Sequence, residues 1–62
     1  MKNTYSFLVK KKFAKTTAEL EQELAHATYN YENAPDEKYR KSMRMVMNAT
    51  RYVLSKRYAP QR

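Results

Sequence analysis

The sequence predicts an all-α fold, a small helical domain built from a two-helix antiparallel hairpin (residues 17–31 and 35–58) and a short N-terminal helix. Three observations lead there. The 62 residues contain no glycine, so no position is set aside for tight positive-φ turns, and open connections between helices are favoured. Thr16-Thr17-Ala18-Glu19 has the capping-box pattern, in which a threonine hydroxyl and a glutamate three residues later satisfy each other's orphan amides. Apolar residues then recur at helical spacing on both sides of Pro35.

Residues 4–13 carry two periods. Tyr5, Phe7 and Val9 alternate as in a strand, while Tyr5, Leu8, Val9 and Phe13 share a helical face. Helix is the favoured reading. The alternative, an N-terminal strand, gives the strand-helix-helix order of ribbon-helix-helix proteins, in element order only.

The helix over 17–31 opens on the Thr16 box, with Glu19, Glu21 and Glu23 in its first turns, where the helix dipole favours negative charge. Leu20, Leu24, Ala27 and Tyr31 form its core stripe. Asn33-Ala34-Pro35 interrupts it. Pro35 suits a first helical position, and Asp36 and Glu37 load the next N-terminus. Asp36 to Arg40 and Glu37 to Lys41 are i,i+4 pairs in the favourable order. This helix is expected to end near Tyr58, before Pro60.

Along 35–58, Tyr39, Met43, Val46, Thr50 and Val53 make one stripe, widened by Met47 and Leu54, and Met45, Ala49 and Tyr52 make a second. Together they span an arc of about 220° at 100° per residue, more than one neighbouring helix covers. The helix is therefore expected to be central, with the N-terminal segment or a second protomer on its far side.

Residues 1–62 read as a single domain, with 1–15 a basic N-terminal segment and 59–62 a short tail. A chain of this size buries only about 60% of its unfolded surface, and without cysteine it has no disulfide or thiolate metal site. A homodimer, or a chain folded onto a partner, is expected. The run Phe7-Leu8-Val9 is too short for a secretory h-region, and no stretch approaches the roughly 20 apolar residues of a membrane span. A cytoplasmic protein with no membrane partner is the expectation.

Charge is segregated. All six acids lie between Glu19 and Glu37, and all thirteen lysines and arginines lie outside that interval, for a net charge of +7. The glutamates flank the core stripe of 17–31 and are expected to face the basic rim of the 35–58 helix. The remaining face of that helix carries Arg40, Lys41, Arg44, Asn48, Arg51 and Ser55 with no acid among them. From Arg40 to Arg51 the rise is about 16 Å, enough to meet several phosphates. Guanidinium groups pair bidentately with phosphate or carboxylate. Lys10, Lys11 and Lys12 form a candidate basic arm, and Tyr29, Met45 and Tyr52, off the main stripes, are candidate interface anchors.

Chemistry is not expected. Without glycine no phosphate loop, dinucleotide fingerprint or nucleophile elbow can be written. His26 is the only histidine, a poor start for a metal site, and Ser6, Ser42 and Ser55 have no base at suggestive spacing. The reading is a basic, non-enzymatic binding protein without cofactor or metal. Nucleic acid is the favoured partner, and an inhibitor or adaptor docking on an acidic protein surface is the alternative.

Overall fold

The computed structural model describes residues 4–58, which form α1 (Thr4–Lys12), α2 (Thr17–Glu32) and α3 (Glu37–Tyr58). The tail assigned to 59–62, including the Pro60 stop signal, lies outside the described residues. Residues 4–12 are helical, which removes the alternative N-terminal strand and the ribbon-helix-helix order with it.

Each boundary has a local cause. After α1 the chain tightens, with Ala14 N–H donating to Lys11 O (3.2 Å) and Lys15 N–H to Lys12 O (3.1 Å). These i→i+3 bonds satisfy carbonyls that the helix end would otherwise orphan. Thr16 is extended (φ −72°, ψ 161°) and closes the expected capping box. Glu19 N–H donates to Thr16 Oγ1 at 3.1 Å, and Thr16 N–H to Glu19 Oε1 at 2.9 Å. Such a cap contributes about 1 kcal/mol. At the other end of α2, Asn33 donates to Tyr29 O both from its backbone (3.1 Å) and from its side-chain amide (2.9 Å). No described residue has a positive φ, in keeping with a chain that has no glycine.

The start of α3 differs from expectation. Pro35 is not its first residue. Asp36 caps the helix instead: its Oδ1 accepts from Tyr39 N–H at 2.8 Å, and its carbonyl accepts from Arg40 N–H at 3.1 Å. The carboxylate is thereby committed to the backbone, and Arg40 pairs with Glu37 (2.7 Å, i,i+3) rather than with Asp36.

Both other helices pack on α3. Leu20, Val53 and Leu54 form the buried core, with Val9 and Leu24 against it. Ala27, Met47, Ala49 and Thr50 are also buried, and Thr50 Oγ1 satisfies itself on Val46 O at 2.8 Å. Ala49 belongs to the second apolar stripe of α3, and it is fully buried. The wide arc that called for either the N-terminal segment or a second protomer is thus flanked within the chain. The described residues fill a slab of 42 × 30 × 18 Å. Its thin dimension is under two helix diameters, so each helix keeps an outward face.

Glu21 and Glu23 serve other partners than the expected rim of α3. Lys12, only 8% exposed, reaches Glu23 Oε1 at 2.5 Å, and Lys15 reaches Glu23 Oε2 at 2.9 Å. The Tyr58 hydroxyl donates to Glu21, fastening the end of α3 to the start of α2 and raising the Tyr58 pKa through that bond. Arg57, half-buried, donates to Thr17 Oγ1 and Phe13 O, both at 3.1 Å, and ties α3 to the α1–α2 connection.

Burial alone pushes the Glu23 carboxyl up, but the hydrogen bonds and charges of Lys12 and Lys15 outweigh it and hold its pKa below the ordinary 4.5. A carboxylate depressed in the folded state stabilises above its unfolded pKa, and that stability is lost as pH falls through the folded value. Thermal melts of the protein are therefore expected to fall as pH drops from about 5 toward 3. Glu23→Gln should melt lower at pH 7 and show a shallower acid dependence. An unchanged acid slope in that variant would refute the assignment.

Candidate functional site

The outward face of α3 carries the row that the sequence singled out. Lys41, Arg44, Asn48 and Arg51 are exposed, and Arg40 is half-buried. Folding uses the first turns of this row only lightly. Arg40 and Arg44 lie over the ring of Tyr31 from α2, at 5.9 and 5.8 Å to its centroid. Arg44 Nη2 also donates to the Tyr31 hydroxyl at 3.4 Å, which raises its pKa. Tyr31, placed on the core stripe by its spacing, is therefore a half-buried platform beneath two guanidinium groups. Lys41, Asn48 and Arg51 make no side-chain bond to any other described residue.

The three lysines of the run do not share one face. Helical geometry sends them in three directions. Lys12 turns inward to Glu23, Lys11 lies over the Phe7 ring at 5.4 Å, and Lys10 faces a groove between α1 and α3. Among the three, Lys10 alone remains beside an open surface without a partner among the described residues.

That groove, of about 640 Å³, was missed by sequence reasoning. Tyr5, Phe7 and Phe13 line it from α1 and the residue after it, and Tyr52 lines it from α3. All four rings are exposed, between 37% and 61%. The signal was present, since Tyr52 stands beside Asn48 and Ser55 on the rim of the basic face, yet only the crossing of α1 over α3 brings the other rings to it. A second cleft, of about 420 Å³, lies between Leu8, Lys11 and Lys15 on one side and His26, Asn30 and Met43 on the other.

No known protein family, curated protein or solved structure matches the chain. Of the other expected anchors, Tyr29 is 65% exposed on α2, and Met45 is half-buried between Lys41 and Tyr52 along α3. Among the described residues no group of histidine, cysteine or carboxylate side chains is placed to hold a metal ion. No described helix is long and apolar enough to cross a membrane.

Proposed function

We propose that this is a small, non-enzymatic nucleic-acid-binding protein whose α3 face contacts the phosphate backbone. The observation that carries the reading is the row Lys41, Arg44, Asn48 and Arg51. It is exposed, free of acids and, beyond Arg44, unused by the fold. The acids of the chain support the same view. Glu19 and Asp36 cap helices, Glu21 and Glu23 tie elements together, and Glu37 meets Arg40 at the margin of the face. Five of the six acids are thus engaged by the fold, and Glu37 is the one that shares α3 with the row. Lys10 adds a cation in the groove that Tyr52 also lines, while Lys12 is excluded because Glu23 already pairs with it.

Cations on a rigid helix attract a polyanion by releasing its counterions, so affinity depends steeply on salt. With three to five phosphate contacts, log affinity should fall linearly with log salt at a slope of about −2 to −4. Fluorescence anisotropy with labelled oligonucleotides, from about 50 mM to about 300 mM salt, tests this. No binding at the low end would defeat the reading and favour the alternative, docking of the same cations on an acidic protein surface.

A further inference from the structure

We infer that the ligand is single-stranded, with its phosphates on the α3 row and one or more unpaired bases stacked in the aromatic groove between α1 and α3. The inference rests on the nucleic-acid reading above and specifies its ligand class. In a duplex the base faces are hidden by stacking, and exposed rings beside a phosphate-binding row find nothing to engage. In a single strand every base offers a π-face, and sequence-tolerant binders combine a basic track with aromatic platforms.

Both parts are adjacent here. Successive residues turn by 100° along α3, which sets Tyr52 next to Asn48 and Ser55 and about a third of a turn from Arg51. Tyr52 forms one wall of the groove, and Tyr5, Phe7 and Phe13 form the other. The rings are exposed although the chain is folded, so core packing has not consumed them. The groove volume of about 640 Å³ lies within the roughly 300–1,000 Å³ typical of small-molecule sites, enough for flat heterocycles.

The charge around the groove matches a nucleotide rather than a neutral apolar ligand. Among the described residues no acid lines it, and Lys10 does. Lys56 lies over the Tyr52 ring at 5.4 Å and Lys11 over the Phe7 ring at 5.4 Å, so a cation stands beside a ring on each wall. A phosphate next to a stacked base meets positive charge on either side. A second copy of this chain would instead bring the same lysine-bearing patch, lined by no acid among the described residues, and so would offer Lys10 no opposite charge.

The test compares three fluorescent 20-mers at about 50 mM salt, on the full chain: oligo-dT, the same length with alternate abasic sites, and a duplex. Oligo-dT should bind best, with the abasic strand and the duplex each weaker by about 10-fold, the scale of one or two stacked bases. Tyr52→Ala should weaken oligo-dT by about 10-fold and leave the duplex unchanged, and Tyr52→Phe should restore it. Circular dichroism checks that Tyr52→Ala stays folded, and the abasic strand tests stacking without any substitution. Equal affinity for all three ligands, insensitive to Tyr52, would overturn the groove assignment while leaving the α3 phosphate reading intact. Absence of binding to any of them would overturn both. A dimer by sedimentation that Tyr52→Ala dissociates would assign the groove to a second copy and overturn the inference.

Discussion

Leu20→Ala is expected to lower the melting temperature by roughly 10–30 °C, leaving much of the population unfolded near 37 °C. Leu20 is fully buried and meets Val53 and Leu54 where α2 crosses α3. Truncating a buried leucine removes its transfer energy and leaves a cavity, together costing about 2–5 kcal/mol. A domain of 62 residues holds only about 3–9 kcal/mol in total. For domains of this size each kcal/mol moves the midpoint by about 4–8 °C. No disulfide offsets the loss, because the chain has no cysteine. Tyr29→Ala is the control. Its ring is 65% exposed, so its melt should stay within about 0.5 kcal/mol of the parent. Far-ultraviolet circular dichroism, followed through the helix band on heating, reads both variants. A Leu20→Ala midpoint within a few degrees of the parent would mean that α2 and α3 are not held by this core.

What the sequence disclosed follows from the range of the interactions involved. The Thr16 box, the Leu20-Leu24-Ala27 stripe and the Tyr39-Met43-Val46-Thr50-Val53 stripe are local or periodic, and the structure contains each of them except at Tyr39, which is exposed near the start of α3. Asp36 was equally local but obscured by its neighbour. A proline at a first helical position and an aspartate at a cap compete for one boundary, and the aspartate prevails because its carboxylate satisfies the Tyr39 amide.

Lys12 shows a different failure. A triplet of lysines looks like an arm when charges are counted along the chain, but helical period puts Lys12 between Leu8 and Val9 on the packed face of α1. Glu23 then becomes its partner. Arg57 was legible by the same rule, since it continues the Val46-Thr50-Val53 series at the next turn and ends up half-buried. Of the aromatic groove only Tyr52, on the rim of the basic face, was legible. The groove depends on how α1 lies across α3, and no short-range pattern in Tyr5, Phe7 or Phe13 sets that crossing.

Arg44→Glu/Arg51→Glu is expected to reduce nucleic-acid affinity by about 100-fold at about 50 mM salt without unfolding the protein. Each phosphate pairing that a substitution abolishes takes about 0.7–0.9 from the slope of log affinity against log salt. At about 0.05 M that slope corresponds to about one decade of affinity per phosphate, hence about two decades for two. The double reversal takes the formal net charge from +7 to +3, since each substitution changes it by two units. Both side chains are exposed, and Arg51 has no partner among the described residues, so the fold should tolerate the change. The same arithmetic says how the effect must fade. At about 0.5 M salt the two arginine–phosphate pairs are worth only about half a decade, so parent and variant should converge. Lys12→Gln should behave in the opposite way, melting lower because Glu23 is deprived of its closest cation, while retaining most of its affinity. A double variant whose deficit persists undiminished at high salt would show that the arginines act through shape or packing, and the phosphate assignment of α3 would fall.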